Sequence, residues 1–254
     1  CLPPLCVAIF DKFTPNITGV YDMDQYFTTD EIEPNFSKNL LDVDLDFDVI
    51  EEPDFYILQR DEKRAVWGLR TSIGCPFSCF FCYNSKADAT IRFYDVQTIQ
   101  GWLIKLKERW KVDLVLYMDS LFFANKKRAL EIIEINSKLG MKMNNVNMRA
   151  NDVTPDVCHI LSRNKLDEVF FGSEFYDDMI LKKVNKKITV ADIDKAVETA
   201  AQYPEITFVT NFIFGVPGTT KKQIRTSLNF MFDTYKRAPN IAVWLCRLYL
   251  FPRT

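Results

Sequence analysis

From Ala65 to Thr254, short apolar runs alternate with longer amphipathic stretches, and the alternation recurs six times. A chain written this way specifies parallel strands covered by helices. The expected class is therefore α/β, a partial (β/α)6 TIM-like barrel, short of the eight units of a closed one. The predicted strands are Ala65 to Ser72, Val112 to Met118, Lys142 to Met148, Asp167 to Phe171, Ile206 to Phe214 and Ile241 to Leu250. The second is almost uninterrupted apolar sequence, as a strand buried by helices should be. The third is the weakest, because Asn144, Asn145 and Asn147 have poor strand propensity.

Helix boundaries are written in capping residues. Asp95 starts a helix to about Lys111 with Leu103, Leu106 and Trp110 on its buried stripe. A second runs from about Asn125 to Leu139 and stops at Gly140, and Thr154 with Pro155 opens a short third to about Asn164. Helical pieces follow over about Asp177 to Val184 and, behind the capping box Thr189 to Asp192, to Gln202. Thr220 with Gln223 caps the last, whose Ile224, Leu228, Met231 and Tyr235 share one face.

Residues 1–64 are of another kind. They carry 15 acidic and 5 basic side chains, a net of −10, whereas the rest of the chain carries +8. With Pro3, Pro4, Pro15, Pro34 and Pro53 among short apolar pieces, they read as an acidic, irregular lead-in or inter-domain linker, and 65–254 as the barrel core. The basic excess is spread over many helices without a stripe, so nucleic acid is not the favoured partner. No run of about 18 uncharged apolar residues suggests a membrane span. Seven cysteines show no disulfide spacing, which fits a reducing, cytoplasmic setting.

Three of those cysteines, Cys75, Cys79 and Cys82, stand in a CxxxCxxC loop after the first strand. Thiolates hold both zinc and iron–sulfur clusters, usually as sets of four. Here no fourth Cys or His follows nearby, and the sole histidine is His159. Three ligands leave one metal position open for a small molecule, as a catalytic site requires. The other polar and glycine residues at predicted strand ends are Asp119 with Ser120, Arg149, Ser173 with Glu174, Gly215 with Gly218, and Arg253. In folds of this type ligands bind at that face.

The cysteine spacing, with Phe81 before the last cysteine, resembles the signature of the radical S-adenosylmethionine (SAM) enzymes, and the likeness extends from about Val66 to Thr254. It looks closest to the branch associated with cobalamin-binding domains. The resemblance implies that Cys75, Cys79 and Cys82 hold a 4Fe–4S cluster whose open iron takes SAM, and that Phe81 lies by the adenine. It implies Asp119 and Ser120 near the SAM amino group, and Arg149 with Asn151 and Asp152 in an Arg-x-Asp-like strand end. Ser173 and Glu174 would then lie at its ribose and carboxylate, with Gly215 and Gly218 in the adenine cradle. Thr219 departs from the usual Glu of that cradle, and Arg253 from a glycine in the ending Phe251-Pro252-Arg253-Thr254. No Asp-x-His-x-x-Gly cobalamin motif occurs, so cobalamin is an expectation about sequence outside the chain.

The resemblance implies reductive SAM cleavage to a 5′-deoxyadenosyl radical and hydrogen abstraction from a small molecule, with flavodoxin or ferredoxin as electron donor. Cobalamin-linked C-methylation and oxidative rearrangement are the expected outcomes. Tyr83, Arg149 and Arg247 are the candidates for substrate contact. The alternatives are a methylthiotransferase-like or coproporphyrinogen-oxidase-like member, or a non-catalytic iron–sulfur or zinc-stabilised interaction protein. At single positions a bland role competes: Asp119 could cap the following turn, Arg149 and Glu174 could form a structural ion pair, and Trp110, Phe122, Phe123 and Cys158 could be core.

Overall fold

The computed structural model describes residues 65–84 and 90–249, together with the backbone of Leu58–Gln59. All lie in the larger of the two units into which the chain divides, Asp44–Thr254. The acidic lead-in, apart from those two backbone positions, and the Phe251-Pro252-Arg253-Thr254 ending lie outside the described residues. In chain order the elements are β1 (Leu58–Gln59), β2 (Ala65–Leu69), β3 (Ser72–Ile73), β4 (Arg92–Phe93), α1 (Val96–Trp110), β5 (Leu114–Tyr117), α2 (Lys126–Lys138), β6 (Lys142–Asn144) and β7 (Val146–Arg149). They continue as α3 (Pro155–Arg163), β8 (Glu168–Glu174), α4 (Asp178–Lys183), α5 (Val190–Ala200), β9 (Thr207–Phe214), α6 (Lys221–Arg237) and β10 (Ile241–Arg247).

Parallel pairing joins β2–β5–β6 and β7–β8–β9–β10, with β1 antiparallel on the edge of β2. Among the described residues the strands do not close into a barrel, in keeping with the open (β/α)6 expectation. The layer between sheet and helices is dense and apolar. Ile99, Trp102, Leu103 and Leu106 of α1, Ile132 and Ile133 of α2, and Phe171, Phe208 and Phe212 of the strands are all essentially inaccessible. Trp110, Phe122, Phe123 and Cys158 belong to this core, and burial pushes the Cys158 thiol up to about 12.

The predicted third strand is two strands. Asn145 sits at φ +60, in the left-handed region that asparagine tolerates better than branched residues, and this turns the chain out of the ladder between β6 and β7. Side-chain amides take over the lost pairing: Asn145 Nδ2 donates to Tyr117 O at 2.8 Å and Asn147 Nδ2 to Asp119 O at 3.2 Å. The asparagines that weakened the strand prediction thus make the break and mend it. The first predicted strand also divides, at Arg70, and its end Ser72–Ile73 pairs antiparallel with β4 instead of continuing the sheet.

Most caps stand as expected. Asp95 accepts from Thr98 N, Asn125 from Arg128 N, and Thr189/Asp192 and Thr220/Gln223 form reciprocal capping boxes. Thr154 does not cap α3; its hydroxyl bonds Asp156. The face of α6 also differs from a simple apolar stripe. Ser227, Phe230 and Thr234 are buried, whereas Tyr235 is 69% exposed.

Lys126 Nζ meets Asp156 Oδ2 at 2.6 Å, tying the start of α2 to α3, and with Thr154 holds the Asp156 carboxyl down at about 2. A carboxyl lowered in the folded state stabilises above the ordinary carboxylate pKa of about 4, and that contribution is lost as pH falls towards 2. Asp156→Asn is expected to lower Tm slightly at pH 6 and to match the unsubstituted protein near pH 2. The effect is small because both side chains are more than half exposed.

Candidate active site

The segment entering the cysteine loop is fixed from below by a buried carboxylate. Asp119, 2% exposed at the end of β5, accepts from Thr71 N at 3.1 Å, from Thr71 Oγ1 at 3.0 Å, and from Ser72 Oγ. It therefore clamps the chain before it rather than capping the turn after it. Burial pushes its carboxyl above the ordinary range, while Ser72, Thr71 and Arg128 pull it back. Arg128 continues the clamp, donating to Thr71 O and Tyr94 O and lying 4.9 Å from the Phe93 ring.

Beyond Gly74, in the left-handed region at φ +86, the loop carries Cys75, Cys79 and Cys82. Its far side is tied to the link between α4 and α5. Phe80 N donates to Val184 O at 3.0 Å, and Asn185 Nδ2 donates to Ser78 O at 3.0 Å and to Ser78 Oγ at 2.7 Å. The Arg149 guanidinium lies 3.8 Å from the Phe77 ring centroid and donates to Lys186 O and, at 2.7 Å, to Lys187 O. One arginine at the tip of β7 thus binds both loops. The cysteine loop stands at the carboxyl end of the strands, where Arg149 and Glu174 also lie.

Glu174 is the most constrained residue of this rim. Its φ is +62, and Phe175 N reaches back to Ser173 O at 2.7 Å, a three-residue turn of the strained hand. The turn buries the Glu174 carboxylate, which pairs with Lys186 Nζ at 2.9 Å, not with Arg149 as the ion-pair alternative had it. Gly172 makes room for the pair. A Cβ there would lie 2.4 Å from Glu174 Oε1 and 2.6 Å from Lys186 Nζ. Both atoms end flexible side chains, so Gly172→Ala should displace the pair rather than the backbone, at about 1 kcal/mol, the low end of the range for overpacking. Gly101→Ala, exposed within α1 with nothing within 4 Å of the new methyl, should instead gain about 1 kcal/mol of helix propensity. Urea unfolding of both variants checks the contrast.

The remaining expected residues are less closely joined to the cysteines. The Phe81 ring packs edge-on to Phe175 at 6.2 Å and lies 5.9 Å from Lys186 Nζ. Gly215 and Gly218 hold positive φ in the turn after β9, and Lys183 Nζ donates to Pro217 O at 2.6 Å, tethering that turn to α4. Ser173 points into the core and shares a 2.7 Å hydrogen bond with Thr210, whereas Ser120 is exposed. Asn151 is exposed, and Asp152 closes the cap at Arg149 N. Of the substrate-contact candidates, Tyr83 is 40% exposed, and the Arg247 guanidinium lies 5.4 Å from the Tyr249 ring. Lys186, Asn185 and Phe77 were missed from sequence. The lysine-rich stretch Lys182 to Lys187 reads as solvated, and nothing in it marks the one lysine that turns inward.

The donor set fits a thiolate-held cluster. Cys79 is 8% exposed and Cys75 half-buried; burial raises both thiols, while Arg149 and Lys186 favour their thiolates. Among the described residues no three His, Cys, Asp or Glu side chains close around one point as a single ion requires. A cluster takes its thiolates on separate irons and asks for a wider set.

The sequence profile of the Radical SAM superfamily matches residues 69–231. The chain belongs to the radical SAM superfamily. Membership implies a 4Fe–4S cluster and SAM, and an enzyme. The "Uncharacterized methyltransferase PH0819" of Pyrococcus horikoshii is 28% identical over 72% of this chain and 41% of its own length. The anaerobic magnesium-protoporphyrin IX monomethyl ester cyclase of Cereibacter sphaeroides is 25% identical over 70% of this chain and 30% of its own. The present chain therefore spans well under half of either. In fold it is similar to the radical SAM methyltransferase TsrM from Kitasatospora setae, solved with cobalamin and a [4Fe-4S] cluster. That match has a TM-score of 0.64 and 18% identity, and covers 75% of this chain and 36% of TsrM. No helix among the described residues is long and apolar enough to cross a membrane.

Proposed function

We propose that Cys75, Cys79 and Cys82 hold the 4Fe–4S cluster, and that SAM lies between their loop and the strand ends bearing Asp119, Arg149 and Glu174. The observation that carries this reading is the joint anchoring of the cysteine loop by Arg149 and Asn185 beside the Glu174–Lys186 pair. When bound, the cluster supplies an electron for reductive cleavage of SAM, the step that generates a carbon radical. The protein's part is to hold and to exclude. Phe81 and Phe175 offer an apolar wall against which an adenine can stack. The left-handed Gly215 and Gly218 bring backbone close to a ligand where a side chain would intrude. Ser120 completes the proposed SAM contacts, whereas Ser173, wholly buried and bonded to Thr210, supports β8 rather than touching the ligand.

The reaction proposed is methyl transfer, for which the names of the methyltransferase relative and of TsrM speak, with an unactivated carbon of a small molecule as the proposed acceptor. An oxidative ring closure is the second reading, favoured by the cyclase relative. The sole histidine, His159, lies on α3 rather than among the strand-end residues, and no step is assigned to cobalamin through this chain. A flavodoxin- or ferredoxin-like donor and a reducing cytoplasmic setting complete the reading. The test is anaerobic reconstitution with iron, sulfide, SAM and dithionite, followed by chromatography for 5′-deoxyadenosine. Iron uptake with nucleoside formation supports it; zinc binding, or iron without SAM cleavage, overturns it.

A further inference from the structure

We propose that Lys186 is a positioning residue that sets the reduction potential of the cluster site, an inference that rests on the cysteine assignment above. Lys186 is 8% exposed, and its ammonium is fixed from two sides. Asn185 and Lys187, at φ +55 and +59, hold its backbone in a tight bend whose carbonyls Arg149 clasps. Glu174 Oε1 holds its head at 2.9 Å, with Phe81 of the cysteine loop on another flank at 5.9 Å. Phe81 stands between Cys79 and Cys82 in the chain, so a fixed cation and its fixed carboxylate partner both lie beside the proposed ligands.

A one-electron donor that reduces the cluster adds one negative charge to a thiolate-ligated group. A buried cation held nearby stabilises that charge, and a buried carboxylate disfavours it. The two halves of the pair should therefore move the potential in opposite directions. Loosening of the site, by contrast, would not give opposite signs. Arg149 shares the field, but its guanidinium is committed to Phe77 and two carbonyls, and among the described residues no ion pair ties it to a carboxylate.

The experiment uses the full chain reconstituted anaerobically with iron and sulfide, titrated with dithionite and followed by EPR of the reduced cluster. Lys186→Met should make the midpoint more negative, by about tenfold in the reduction equilibrium, or 59 mV for a one-electron couple. Lys186→Arg should restore most of the shift, and Glu174→Gln should move the midpoint the other way. Coincident potentials for the unsubstituted protein and Lys186→Met overturn the inference while leaving the cysteine assignment intact. So does movement of Lys186→Met and Glu174→Gln in the same direction. Should Lys186→Met fail to fold, Glu174→Gln and Lys186→Arg decide: a positive shift in the first with none in the second supports it, and any other pattern overturns it. An unsubstituted chain that takes up no iron overturns both.

Discussion

Replacing Cys75, Cys79 or Cys82 singly with Ala is expected to abolish 5′-deoxyadenosine formation and to lower iron content after anaerobic reconstitution. Two remaining thiolates cannot hold a cluster that needs three protein ligands and an open iron. Cys158→Ala is the matched control. That thiol is wholly buried among apolar side chains and pushed up to about 12, which leaves it inert as a ligand. Its replacement should cost some core stability and leave the iron count unchanged. Iron analysis and the visible absorbance of the reconstituted cluster separate the two results. A cysteine variant that retains both iron and product would remove that residue from the ligand set.

Asp119→Ala should be among the most destabilising single changes at the rim. The substitution leaves the Thr71 amide, the Thr71 hydroxyl and the Ser72 hydroxyl buried without their acceptor. Each stranded donor costs about 1–3 kcal/mol, so a total on the order of 3 kcal/mol or more is expected. Asp119→Asn keeps one oxygen and should lose less. Urea titration gives the order. Because Thr71 and Ser72 lead directly into the cysteine loop, the same variant should also take up less iron than Asp119→Asn. Equal stability for Asp119→Ala and the unsubstituted protein would show that the clamp is dispensable.

The helices could be read from sequence because their ends carry local chemistry. Asp95, Asn125, Thr189 and Thr220 each bond a backbone amide two or three residues on, an interaction that needs no knowledge of the rest of the fold. The strands were less legible. Asn145 breaks the third strand through a backbone conformation, and its repair depends on Tyr117, distant in sequence. At the site, the cysteines and Glu174 were visible because residue type alone points to their chemistry. Lys186 was not, since its burial is a product of tertiary contacts with Glu174 and the Arg149-held bend. Arg149 was visible as a strand-end charge, but its stacking on Phe77 was not.

Among the described residues the cysteine loop is anchored through Ser78 O and Oγ, Phe80 N and the ring of Phe77. These tethers therefore do not run through iron. Oxygen damage that strips out the iron would then empty the nest without unravelling it, and repair would call for inorganic building blocks rather than a chaperone.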